Sequence, residues 1–328
     1  MTTFKAQASI LSELALQEQL LSRYRLGSPV SCRLHKYGVN DTYRVQAADS
    51  LYFLRVYSLR YSEYATIQRE VCLLQALAER NVSVGCPVAD RTGEFIHRLH
   101  APEGLRYAVL FSGGQGKQVD AKSESQMEAL GAWVGGFHSA AAELDLPGVR
   151  GDMNLERMVE QNVRLVLPRL LDREQDHDFL LTFAGQLATR LRQLTGRAAE
   201  TGIIHGDLHM DNAVFSTEQR ITVFDFADSG IGWRLYDLGV VRFMIRTRLQ
   251  DTDKQDSAWN AFLRGYRKQR SLPDETAREV MLFVALKILW LLGFHTTVSD
   301  RHGDGWINDD YCVAAIRRLR DVSQDLNN

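Results

Sequence analysis

Ile203 to Gly230 reads IIHGDLHMDNAVFSTEQRITVFDFADSG, and this stretch decides how the rest of the chain is read. The β-branched pair Ile203-Ile204 runs into the polar cluster His205-Gly206-Asp207-Leu208-His209-Met210-Asp211-Asn212, and apolar Ala213-Val214-Phe215 follows. β-branched and aromatic residues fit a pleated, half-buried surface, whereas clustered His, Gly, Asp and Asn suit turns. The pattern predicts strand, loop, strand. Ser216 to Arg220 is a short polar connection, and Ile221 to Phe224 reads as a further strand closing on Asp225. Asp207, Asn212 and Asp225 are therefore expected at the ends of paired strands.

Such a set suits phosphoryl transfer to a hydroxyl, which needs little covalent chemistry from a protein. It needs metal ions to neutralise phosphate charge and a carboxylate to receive the hydroxyl proton. Asp207 fits the carboxylate, and Asn212 and Asp225 offer hard oxygens of the kind Mg²⁺ prefers. Each position alone is an ordinary turn residue. His205-x-Asp207-x-His209 would also present three zinc ligands, as in a metal hydrolase, although no His-Glu-x-x-His occurs anywhere in the chain.

The wording His-Gly-Asp-Leu-His-x-x-Asn, followed by Asp-Phe-x-Asp, resembles the aminoglycoside phosphotransferase and choline kinase superfamily. It is most similar to the type II homoserine kinase-like branch. The resemblance implies an α+β, two-lobed protein-kinase-like fold. A strand-rich, nucleotide-binding N-lobe would cover residues 1–112, and a mainly helical C-lobe with the catalytic loop and acceptor-binding helices residues 113–328. It implies a cytoplasmic kinase using ATP and Mg²⁺, with Asp207 as base, Asn212 and Asp225 as metal ligands, and a small-molecule hydroxyl acceptor. Amino alcohols, hydroxy-amino acids, aminoglycosides and sugars all remain open as acceptors. A protein Ser/Thr kinase of the stress-response type and a nucleotide-binding pseudokinase are the alternatives.

The 328 residues allow about two domains, and 45% hydrophobic with 24% charged residues is ordinary for a globular protein. A net charge of -2 gives no footprint for nucleic acid or an anionic membrane. Cys32, Cys72, Cys86 and Cys312 are scattered without a C-x-x-C pair, which predicts buried free thiols. The apolar run Val280 to Phe294 is interrupted by Lys287 and reads as a buried helix too short to span a bilayer.

In the first third, Ala8 to Tyr24 has helical spacing, and Ser31 to Leu34 and Asp41 to Val45 read as strands around Lys36-Tyr37-Gly38-Val39-Asn40. That turn is either a plain hairpin or a place where backbone N–H groups meet nucleotide phosphates. Gly38, Asn40, Tyr43 and Val45 resemble the corresponding loop of the homoserine-kinase-like branch, which implies nucleotide binding at Gly38 and Asn40. Leu51 to Tyr57 alternates so that Arg55 shares a face with Phe53 and Tyr57. A guanidinium there is either a surface residue or needs an anionic partner, for which phosphate oxygens are a bidentate match. Glu63 to Arg80 reads as a helix with Ile67, Val71, Leu74 and Leu77 on one stripe. By the resemblance, Glu70 on that helix pairs with Arg55 in the nucleotide site, with Glu63 as its competitor.

Glu94 to Arg98 and Leu105 to Phe111 predict a hairpin, and Ser112-Gly113-Gly114-Gln115-Gly116 a hinge between lobes. Helices follow at Glu124 to Leu144, Asn154 to Leu171 and Phe179 to Leu194, with His138 as a packing or loop-anchoring residue. Asp237 reads as a helix N-cap or a catalytic-loop anchor. The last ninety residues hold helices at Trp259 to Arg267, Thr276 to Phe294 and Asp309 to Val322. Trp290, Trp306 and Tyr311, with Asp300, Asp304, Asp309 and Asp310, are either core and surface residues or the lining for a cationic acceptor.

Overall fold

The computed structural model describes residues 4, 6–145, 153–194, 201–303 and 305–326. They divide into two compact units, Met1–Lys117 with Val214–Ala227, and Gln118–Ala213 with Asp228–Asn328.

The first unit is built on an antiparallel sheet of β1 (Val30–Tyr37), β2 (Asp41–Ala47), β3 (Ser50–Val56), β4 (Ile96–Ala101) and β5 (Gly104–Ser112), in the order β1-β2-β3-β5-β4. The helix α1 (Tyr64–Glu79) follows β3. Alternation along β3 works as its sequence requires: Leu54 and Val56 enter a core with Tyr43, Val45, Ala108 and Leu110, while Arg55 lies on the other face, opposite Thr42 and Val109. On α1 the stripe Ile67, Val71, Leu74 and Leu77 is buried, and Glu70 is buried beside it. The leading helix is shorter than its periodicity predicts. It starts at Glu13, where the Ser12 hydroxyl accepts from the Ala15 N–H, and seats Leu16, Leu20 and Leu21 in the same core.

Strands 213–215 and 221–223 form the hairpin that leads to Asp225. It is bound within the first unit by Gly85 N–H to Val223 O (2.9 Å) and by the Ser83 and Thr222 hydroxyls (2.8 Å). The glycines in the segment expected to form a hinge are sites of close approach. Gly113 donates its N–H to Leu51 O at 2.7 Å, and a Cβ on Gly114 would lie 2.6 Å from the Phe224 ring.

The second unit is helical: α2 (Glu124–Ala141), a mixed helical segment over 156–170, α3 (Glu174–Leu194), α4 (Arg234–Arg248), α5 (Thr252–Gln269), α6 (Val280–His302) and α7 (Asp309–Asp325). Its strands β6 (Thr201–Ile204) and β7 (Gly230–Trp233) pair antiparallel, with Ile204 opposite Gly230. The strand expected at 203–204 is present, and its partner is β7. The hairpin is extended by the short strand Lys117–Gln118 next to 213–215, and β6 takes up a strand hidden in the sequence by its two glycines. At Gly232 the space is tight: a Cβ there would sit 2.7 Å from Ile204 Cδ1 and 2.8 Å from Met153 Cβ.

α6 is 23 residues long, more than the fifteen-residue run suggests, because polar residues after Phe294 continue the helix. By length and composition it could cross a membrane, but 61% of its apolar window is buried inside the protein. Its apolar residues, Phe283, Leu286 and Leu289 among them, are core residues. Of the four free cysteines, Cys32 and Cys312 are buried as expected, whereas Cys72 is exposed on the outer face of α1.

α2 and α5 approach closely enough that glycine is the only residue that fits at the crossing. A Cβ on Gly131 would come within 1.9 Å of Phe262 O, and one on Gly265 within 1.9 Å of Glu128 O. Gly131→Ala is expected to lower unfolding stability by at least about 1–3 kcal/mol through overpacking, measured by urea denaturation. A loss under about 0.5 kcal/mol, within the range of ordinary surface changes, would mean that the helices part without cost.

Candidate active site

The polar loop between β6 and the hairpin is fixed from beneath by one carboxylate. Asp237, in the first turn of α4, is fully buried; its Oδ2 accepts from His205 N–H (2.9 Å) and its Oδ1 from Gly206 N–H (2.9 Å). The same Oδ2 lies 3.0 Å from Nε2 of buried His138 on α2. A carboxylate only accepts, so Nε2 carries the proton, and Nδ1 takes the Tyr266 hydroxyl at 3.1 Å. Burial keeps His138 neutral by lowering its pKa, against the pull of Asp237. Of the two readings the sequence allowed for Asp237, the structure selects the loop anchor, since Trp233 is the residue at the N-cap of α4. Gly206 turns the chain with φ +83°, and a Cβ there would lie 2.3 Å from Asp228 O.

Asp207 follows this turn with its side chain 27% exposed. Its Oδ1 accepts from Lys287 Nζ at 2.7 Å, and its Oδ2 lies 3.3 Å from His209 Nε2. Burial would raise the pKa of this carboxyl, but the Lys287 ammonium and the His209 hydrogen bond outweigh it and hold it well below the usual carboxylate range. Lys287 is the functional residue that the sequence reading passed over. Its only signal was position, a lone cation in an apolar helix, and its partner lies 80 residues away.

Asn212 ends the loop. Its Nδ2 donates to the Asp207 carbonyl at 3.1 Å, which ties the amide nitrogen and leaves Oδ1 available to a cation. The arrangement excludes the three-ligand zinc reading: His205 is fully buried with Nδ1 accepting from Asp207 N–H, and both His209 nitrogens are engaged by Asp211 N–H and Asp207. No cluster of three metal-ligating His, Cys, Asp or Glu occurs among the described residues.

In the first unit the structure brings Arg55, Glu70 and Asp225 together. Arg55 Nη1 donates to Glu70 Oε1 and Nη2 reaches Asp225 Oδ1, both at 2.9 Å, and Tyr57 Oη donates to Glu70 Oε2 at 2.7 Å. The Arg55 side chain is 11% exposed. Burial opposes its charge, but Asp225 and Glu70 overcome that and raise its pKa further. Glu70 is pushed up by burial, with Arg55 opposing. Asp225 sits at φ +66°, a strained backbone for a side chain larger than glycine.

The remaining expected residues fall elsewhere. Asn40 Oδ1 accepts from Ser58 N–H at 2.9 Å, fastening the β1–β2 turn to the segment after β3, and Gly38 has no positive φ. Glu63 is exposed at the N-cap of α1. Trp290 stacks on Phe294 (4.8 Å, 7°), and Trp306, Tyr311 and His295 contact one another. Asp309 and Asp310 are exposed in the first turn of α7. Asp304 and the Asp300 side chain lie outside the described residues.

One unit with an antiparallel sheet and a buried arginine–glutamate pair, and a second, helical unit carrying an anchored His-Gly-Asp loop, are the parts of a protein-kinase-like phosphotransferase. Residues 34–279 match the phosphotransferase enzyme family; the chain belongs to that family and is a kinase. It is 32% identical to a protein of Deinococcus radiodurans over 89% of this chain and 84% of that one. It is 29% identical to the homoserine kinase of Neisseria meningitidis serogroup B, over 78% and 79% respectively. Its fold matches an amicoumacin kinase in complex with AMP-PNP, Ca²⁺ and Ami, with a TM-score of 0.77 at 20% identity, covering 95% of this chain and 94% of that one.

Arg55 and Glu70 are coupled through a nearly buried contact. Arg55→Ala and Glu70→Ala are therefore expected to be non-additive in a double-mutant cycle on nucleotide affinity, by about 0.5–3 kcal/mol. Strict additivity, with both variants folded, would mean that the pair does not act as a unit.

Proposed function

We propose that this kinase moves the γ-phosphate of ATP to a hydroxyl of a small molecule, with Asp207 as the carboxylate that orients the hydroxyl and receives its proton. The observation that carries this reading is the state of Asp207: ionised, held by Lys287 and His209, yet partly open to solvent. A weakly basic carboxylate suits the task, because in a loose phosphoryl-transfer transition state positioning and electrostatics matter more than early proton removal. Magnesium, when bound with nucleotide, neutralises phosphate charge. Asn212 is the oxygen donor that the second unit would supply to such an ion and Asp225 the one that the first unit would supply, both of the hard kind it prefers. Arg55 supplies a forked, permanently charged donor for phosphate oxygens, oriented by Glu70. A small acceptor is supported by the similarity to homoserine kinase and amicoumacin kinase, whose names give small-molecule substrates.

Asp207→Asn is expected to reduce ADP release in the presence of acceptor by about 10²–10⁴-fold while ATP affinity by calorimetry stays near wild type. Activity within about tenfold of wild type would remove Asp207 from the role of base. Asp225→Asn is expected instead to weaken Mg²⁺-nucleotide binding itself, and an unchanged metal titration would take Asp225 out of the site.

A further inference from the structure

Lys287 occupies an unusual environment. Its side chain is 3% exposed, with Nζ 2.7 Å from Asp207 Oδ1 and 4.1 Å from the centroid of the Trp290 ring. An ammonium has three N–H donors. The Asp207 oxygen takes one and the indole face attracts the charge, and no other partner of Lys287 is found among the described residues. A buried ion pair is a poor source of stability compared with apolar residues of the same volume. The cation is therefore best explained by something it binds, and the free donor capacity lies beside the carboxylate that receives the acceptor.

The surroundings indicate which charge that is. Trp290, Phe294, His295, Trp306 and Tyr311 line this part of α6 and its neighbours, and burial together with the charge of Lys287 lowers the pKa of His295. Of the acidic residues expected to attract a cation, Asp309 and Asp310 are exposed in the first turn of α7, and no contact of theirs with Lys287 is found among the described residues. An acceptor whose only charge is an ammonium would thus be set beside a buried cation, whereas an anionic oxygen would complete the coordination of Lys287.

We propose, building on the function given above, that Lys287 is a specificity-determining residue that donates to a carboxylate of the acceptor. The acceptor is then a hydroxy acid or hydroxy-amino acid rather than a simple amino alcohol. Hydrogen bonds of ordinary length on either side of the 2.7 Å contact keep the reacting hydroxyl and the carboxylate within about 8 Å of each other, so the acceptor is short. The same donor would also suit a phosphate oxygen of the nucleotide, and the test separates the two.

ADP release is measured with ATP and matched pairs of acceptors, L-homoserine against 3-amino-1-propanol and L-threonine against 1-amino-2-propanol, for wild type, Lys287→Met and Lys287→Arg. Wild type is expected to favour the carboxylate-bearing member in kcat/KM by at least about tenfold, the scale of one charge-assisted hydrogen bond. Lys287→Met should lose that preference through the acceptor KM, with the KM for ATP moving less than about twofold, and Lys287→Arg should recover part of it. A wild-type preference for the amino alcohols would overturn the proposal. So would a Lys287→Met enzyme that keeps the acceptor ranking while its KM for ATP rises, since the anion would then belong to the nucleotide. If Lys287→Met does not fold, the wild-type ranking and the acceptor KM of Lys287→Arg decide. ADP release with none of a wider set of hydroxyl acceptors would overturn the function itself and this inference with it, whereas turnover confined to amino alcohols overturns the inference alone.

Discussion

The buried carboxylate of Asp237 is the constraint on which the site depends. Two successive backbone N–H groups, of His205 and Gly206, would be orphaned by the sharp turn that Gly206 makes, and a buried unpaired donor is costly. Asp237 satisfies both at once, and His138 satisfies Asp237 in turn, so the turn is held from α4 and α2 together. The next residue, Asp207, can then expose its carboxylate without its own backbone being free to move. His205 adds to this by accepting from Asp207 N–H, and Asn212 closes the loop onto the Asp207 carbonyl. Most polar atoms in the loop are spent on holding it, which leaves the Asp207 carboxylate and Asn212 Oδ1 facing outward.

Both units pay for their chemistry with buried charge. Arg55, Glu70 and Asp225 in the first, and Lys287 with Asp207 in the second, combine a well-covered cation with a carboxylate that remains more accessible. Asp225 and Asp207 are each the open end of such a pair. A different use of the same device is seen in Arg106, fully covered, which donates to Asp41 at 2.7 Å and to the Tyr57 and Val56 carbonyls. With every donor direction filled and no open carboxylate, that pair is a fastener of the sheet. The distinction between fastener and site lies in what remains exposed, not in the presence of buried charge.

What could be read in the sequence follows the range of the interactions. The loop His205 to Asn212 was legible because its chemistry is compressed into eight positions, and Arg55 because strand alternation put a guanidinium among aromatic residues. Its pairing with Glu70 spans fifteen positions, one strand and one helix apart, and it was the family resemblance that pointed to Glu70, with Glu63 left as competitor. The contacts between Lys287 and Asp207, and between His138 and Asp237, span 80 and 99 positions, and no local pattern encodes them. β7 escaped for another reason: glycines at 230 and 232 suggest a turn, but Gly232 makes room for Ile204. Asn40 was read from its motif position, and the contact it makes in the structure, accepting from Ser58 N–H eighteen positions on, was not encoded locally.

The position of Lys287 on α6 also explains why so apolar a helix belongs to this unit. A buried ammonium needs a fixed carboxylate as its partner, and Asp207 is fixed because Asp237 holds the turn before it. The aromatic ring of Trp290, three residues on and therefore on the same helical face, covers the ammonium without competing for its protons as a second carboxylate would. Anchor, turn, carboxylate and ammonium thus form a chain in which each element removes the freedom of the next. It ends at the Lys287 ammonium, which the helix that closes the core of the second unit sets 2.7 Å from the Asp207 carboxylate.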